Sequence, residues 1–145
     1  MRGKNIALIT LLLFIVTAKV YGADVKVTDT KGNIVEVRDV AIDYTRYSII
    51  YTPDNDHEGV RAFQGEGVVT INWSQIETIA IKRKKTDVVP NRLEADVTFK
   101  DKRVVGVDLQ MDARQGLHGK TDLGDFSIQL ESVKSIAVLP KPSSK

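Results

Sequence analysis

One phrase occurs twice in this chain, and it constrains the fold more than any other feature. Gly67-Val-Val-Thr-Ile-Asn-Trp-Ser-Gln-Ile-Glu-Thr-Ile-Ala-Ile81 returns 57 positions later as Gly124-Asp-Phe-Ser-Ile-Gln-Leu-Glu-Ser-Val-Lys-Ser-Ile-Ala-Val138. The superposition matches Gly67 with Gly124, Ile71 with Ile128, Trp73 with Leu130, Ile76 with Val133, Ile79 with Ile136 and Ala80 with Ala137. Each copy reads as a turn glycine, an alternating strand, a short polar interruption and a second strand. Apolar residues recurring at period two are the mark of a half-buried strand.

A hairpin precedes each phrase. Asp24-Val-Lys-Val-Thr-Asp-Thr30 alternates polar and apolar residues, Lys31-Gly32-Asn33 supplies turn chemistry, and Ile34 to Ile42 resumes a strand. Seventy residues on, Val97-Thr98 matches Val27-Thr28, Asp101-Lys102-Arg103 takes the turn, and Val104 to Val107 matches Ile34 to Val37. The first half is therefore longer by 13 residues, and the surplus falls between Ala41 and Gly65. This insertion holds Tyr44, Tyr47 and Tyr51, a strand-like Ser48 to Thr52, and the loop Pro53 to Gly59. The tyrosines have helical spacing, but the β-branched and aromatic enrichment around them argues for strand.

The expectation is an all-β protein of two tandem related five-strand modules. Module 1 spans 23–85 with its insertion at 41–65, a linker covers 86–92, module 2 spans 93–139, and a polar tail occupies 140–145. Five short strands with a one-turn kink at Ser74–Ile76 or Glu131–Val133 before the last resemble SH3-like or Sm-like small barrels. That resemblance is one of pattern and implies no activity. The alternative is one pseudo-symmetric sandwich in which both halves share a core. A half of this size is marginal alone, which favours mutual packing.

Residues 1–22 read as a secretory signal peptide: Arg2 and Lys4, then an apolar run from Ile6 to Val16, then Val20-Tyr21-Gly22 before Ala23. A retained membrane anchor is the rival reading, but Ile6 to Ala18 is 13 residues, short of the roughly 20 that cross a bilayer. Removing the leader takes three of the 21 basic residues and none of the 19 acidic ones, leaving 18 against 19. A chain so balanced carries no nucleic-acid signature. It has no cysteine, so core packing must hold it together without disulfides, and no lipid can be attached at a cleavage-site thiol. A secreted or periplasmic location follows.

The loop at Asp54, Asp56 and Glu58, closed by Gly59, imitates the opening of a calcium loop. The imitation stops there, because the twelfth position is Gly65 in place of a bidentate glutamate, and acidic hairpin tips are ordinarily just solvated. His57 and His118 are the only histidines, and nothing in their spacing brings them together on a metal. Lys82, Arg83, Lys84 and Lys85 could meet an anionic envelope component such as lipid head groups or cell-wall polymer. Lysines that guard a sheet edge against aggregation are the plainer explanation. Trp73 stands where the second copy has Leu130, which argues for core. Tyr44, Tyr47 and Tyr51 are better placed to meet a partner.

Catalytic signatures are missing: no cysteine nucleophile, Gly-x-Ser-x-Gly elbow, phosphate loop or His-Glu-x-x-His motif occurs. The reading is a non-enzymatic binding or assembly module of the periplasm or cell envelope, its partner an envelope protein or a cell-wall or anionic envelope component. A ligand-binding protein for envelope glycan or calcium is the alternative.

Overall fold

A computed structural model describes residues 22–42, 58–88, 91–110 and 116–141. They form ten strands: β1 Val25–Asp29, β2 Ile34–Ile42, β3 Gly59–Gln64, β4 Gly67–Asn72, β5 Ile76–Lys85, β6 Arg92–Phe99, β7 Val104–Gln110, β8 Gly116–Thr121, β9 Gly124–Gln129 and β10 Val133–Val138. The protein is all-β, a single curled antiparallel sheet in the order β4-β3-β7-β6-β5-β10-β1-β2-β8-β9. The polar interruptions in the repeated phrase become single 3₁₀ turns, Trp73–Gln75 and Leu130–Ser132, each preceded by an extended residue whose side chain makes no capping bond.

Strand order carries a relation that the strand list alone does not. Exchanging each of β1 to β5 with the strand five places later returns the same order read backwards. The centre of this relation is the pairing of β5 with β10, where Ile79 faces Ile136. Around it, β1 lies against β10 rather than β5, and β6 takes the place beside β5. The β3–β4 hairpin continues onto β7, and the β8–β9 hairpin onto β2. The first and second halves of the chain thus interleave.

Loop bonds obey the same exchange. The Thr30 N–H donates to the Ser132 carbonyl and the Lys100 N–H to the Gln75 carbonyl, both at 3.0 Å. Each of these bonds joins the hairpin turn of one half to the 3₁₀ turn of the other.

The two hairpin turns close by matching bonds from different side chains. In the first, Asp29 Oδ1 accepts the N–H of Lys31 and of Asn33, and Oδ2 accepts the Asn33 amide, all at 2.9 Å. Those bonds, led by the Asn33 side chain, hold the Asp29 carboxyl below its ordinary range. In the second, Asp101 accepts the Arg103 N–H and Nε, and these lower its pKa in the same way.

The core is one cluster drawn from both halves, including Val25, Val27, Val37, Ile42, Trp73, Ile76, Ile79, Leu93, Val97, Leu117, Leu130 and Ile136. Period-two alternation puts Leu93, Ala95 and Val97 of β6 inside. Trp73 and Leu130, matched in the sequence, are both buried at the head of their turns. β2 bends at Asp39, whose φ of 52° accompanies a register shift between Arg38 and Ala41. The bulge lets the strand leave β1 and run on along β8.

Candidate functional site

Two kinds of surface stand out: the free ends of the sheet and a charged cleft along β5, β6 and β7.

The ends are β4 and β9, which have one paired neighbour each among the described strands. β4 reads Gly-Val-Val-Thr-Ile-Asn, with no charged residue, and Val68 is 57% exposed. Gly65 and Glu66 form its two-residue connection to β3, and Gly65 has φ 62°. A positive φ at the first central position but not at the second, Glu66, is the II′ turn that matches the twist of a hairpin. The Gln64–Gly67 pair closes that turn, so bonded and non-bonded pairs alternate from there. Val68, Thr70 and Asn72 therefore turn their backbone N–H and C=O to the open side. Edges of this kind usually carry a lysine, a proline or a bulge against unwanted pairing. β4 has none of these.

The cleft begins with the Lys82–Lys85 run, which the structure places inside β5. Each cation has a carboxylate on another strand or turn: Lys82 Nζ lies 2.9 Å from Asp96, Arg83 Nε 2.6 Å from Glu94, Lys84 Nζ 3.4 Å from Glu131 and Lys85 Nζ 2.9 Å from Asp108. The hydrogen bond to Asp96 raises the Lys82 pKa, and the Arg83–Glu94 bond raises the one and lowers the other. β10 accompanies β5 only as far as Ala80. Beyond that point, among the described strands, β5 pairs only with β6.

Near the end of this ladder a cavity of about 410 Å³ is lined by Phe63, Lys85, Arg92, Glu94 and Asp108, with Gly65, Gly106 and Val107 completing its walls. The Arg92 guanidinium lies 3.8 Å above the centre of the Phe63 ring. Nη1 stands 3.7 Å from Asp108 Oδ2, beyond hydrogen-bond reach, and the side chain is only 22% exposed. Its Nε is buried without a hydrogen-bond partner among the described residues. Arginine brings five donors, and a buried donor without an acceptor costs about 1–3 kcal/mol, more when charged.

A second hollow, of about 380 Å³, lies between β2, β8 and β9, with Asp39, His118, Lys120, Asp125 and Phe126 among its walls. Here the Gly22 N–H donates to Asp39 Oδ1 at 2.6 Å and the Asp39 N–H to Asp24 Oδ1 at 3.1 Å. These bonds tie the segment before β1 to the bulge.

Tyr44, Tyr47, Tyr51, Asp54, Asp56 and His57 lie outside the described residues. Glu58 is described: it is exposed, and its carbonyl accepts the Trp73 N–H at 3.0 Å. No group of three or more His, Cys, Asp or Glu side chains among the described residues could hold a metal ion. No helix among them is long and apolar enough to cross a membrane. Phe63, Arg92 and Asp108 went unmarked in the sequence, because 29 and 16 positions separate Arg92 from the other two. Only strand pairing brings them together.

No protein-family model, curated protein or solved structure matches the chain.

Proposed function

We propose that the chain is an exported, non-catalytic binding or assembly module of the periplasm or cell envelope, which takes an extended segment of an envelope protein onto its open sheet edges. The leader-like residues 1–22 motivate the location. The observation that carries the function is β4, an exposed and uncharged edge strand whose backbone donors and acceptors face outward. Strand addition uses such an edge: main-chain bonds supply affinity and alternate side chains supply selectivity.

The architectural part of this reading is two related five-strand units that have exchanged their first two strands. Letting β6 and β7 stand for β1 and β2, the run β4-β3-β7-β6-β5 becomes 4-3-2-1-5. The other side of the sheet, β9-β8-β2-β1-β10, gives the same order by the reciprocal exchange. A meander whose last strand returns beside the first resembles the SH3-like and Sm-like barrels.

The test is a photo-crosslinking residue placed at Thr70 or Ser127, with Lys100 on a hairpin turn as the control position, in mature protein exposed to envelope extract. Crosslinks to the same protein from the edge positions and none from Lys100 are expected. Thr70→Pro removes an outward-facing donor and should abolish the Thr70-side capture. Equal crosslinking from Lys100, or capture that survives the proline, would sink the proposal.

A further inference from the structure

We propose that the cleft at Arg92 is a binding site for a small carboxylate ligand, with the Arg92 guanidinium as the group that grips the carboxylate. This inference is independent of strand addition at the edges, and either can fail without the other.

The first argument is the state of Arg92. Its side chain is largely withdrawn from water and its guanidinium carbon lies 3.8 Å over the Phe63 ring, yet it makes no hydrogen bond among the described residues. Stacking fixes the plane of the guanidinium while leaving its in-plane N–H groups available. A planar fork held in that way is matched by a carboxylate, which accepts two parallel bonds.

The nearest carboxylates are committed elsewhere. Asp108 takes two contacts from Lys85 Nζ, at 2.9 and 3.2 Å, and Glu94 takes Arg83 Nε at 2.6 Å. Arg83, Lys85 and Arg92 thus share two carboxylates, with Asp108 held closely by Lys85 and standing 3.7 Å from the Arg92 guanidinium. One surplus positive charge suits a monoanion. A phosphate dianion would bring its second charge against Asp108 and Glu94 and be disfavoured.

Space is the third argument. The cavity of about 410 Å³ lies within the ordinary range of small-molecule sites. Gly106 contributes no side chain, and Val107 offers an apolar wall. The ligand body beyond its carboxylate is therefore small and uncharged.

The experiment is a titration of ¹⁵N-labelled mature protein with sodium propanoate, inorganic phosphate or sodium chloride at constant ionic strength. The reporters are the arginine Nε–Hε signals and the backbone amides of Gly106 and Val107. The Arg92 signal is identified by its absence in Arg92→Lys. The expected result is a saturable shift with propanoate, about tenfold tighter than with phosphate, and no saturation with chloride. Arg92→Lys keeps the charge but loses the fork, so the Gly106 and Val107 response should weaken about tenfold. Asp108→Asn should move the preference toward phosphate. A response equal for all three anions, or one unchanged in Arg92→Lys with the fold intact by circular dichroism, would overturn the proposal.

Discussion

Ile79 and Ile136 stand directly opposite one another across the β5–β10 pair, each buried and each the counterpart of the other in the repeated phrase. Pairing extends this contact in both directions: Ile79 faces Val97, which faces Val105, and Ile136 faces Val27, which faces Val35. Six β-branched residues thus form one row through the middle of the sheet. Such side chains pack well on a pleated surface, and cross-strand pairs are the unit by which a sheet is stabilised. The row joins strands of both halves, so the core cannot be divided at the middle of the sequence.

Truncation at the centre of that row should be costly. Ile79→Ala and Ile136→Ala are each expected to lower stability by about 2–5 kcal/mol, and Ile79→Val by about 0.5–1.5 kcal/mol. Because the two residues touch, the double alanine variant should depart from the sum of the singles. Urea denaturation followed by fluorescence and circular dichroism measures both. A single shared transition is expected, and two separate transitions would contradict a common core.

A methyl group distinguishes two glycines of the sheet. At Gly119 it would run into the Val37 side chain and the Arg38 carbonyl, where β8 crosses β2 closely; at Gly106 its nearest neighbour is Asp96 Oδ1 at 3.6 Å. Gly119→Ala is expected to cost about 1–3 kcal/mol or more. Gly106→Ala should be near neutral in stability, since strand glycine carries an entropic cost that alanine relieves. Thermal unfolding of the two variants, side by side, decides it.

Acid should weaken the hairpin turns in a defined direction. Asp29 and Asp101 titrate below their ordinary 3.8 because the folded turns hydrogen-bond the charged form. A depressed folded pKa means the contribution is complete above the unfolded value and is lost as pH falls through the folded one. Both groups are exposed, so the effect is modest. Melting temperature should fall between about pH 4 and pH 2, with a shallower fall in Asp29→Ala. An Asp29→Ala profile parallel to that of the unaltered protein would refute the assignment.

The Lys82–Lys85 run should be a poor anion binder while its carboxylates are in place. Each of its four cations has a carboxylate within 3.4 Å. Retention on a heparin column or on vesicles rich in anionic lipid is expected to be weak. Glu94→Gln releases Arg83 and should strengthen it, with the gain removed by salt. Strong salt-dependent binding by the unaltered protein would contradict this and support the run as an interaction surface.

Much of the local structure was legible in the sequence. Both hairpin turns fall at Lys31–Asn33 and Asp101–Arg103, and the polar interruptions at Ser74 and Glu131 become the 3₁₀ turns. What could not be read is which strand lies beside which. Val27 alternates identically whether its neighbour is Ile79 or Ile136, because period two reports a buried face and carries no address. The end of β5 was equally opaque. Lys82–Lys85 reads as a solvent-facing basic run until β6 and β7 bring Glu94, Asp96 and Asp108 against it. Arg92 gave no signal for the same reason, since Phe63 and Asp108 reach it through strands β3 and β7.

The pairing of β1 with β10 has a consequence for how the chain acquires its shape. β1 meets its hairpin partner β2 at once, but its other neighbour, β10, only when the last strand is complete. A nascent polypeptide of this sequence therefore cannot finish its sheet early, and such long-range closure is slow. Late closure fits the export proposed above, in which a chain is threaded through a translocation pore before it folds.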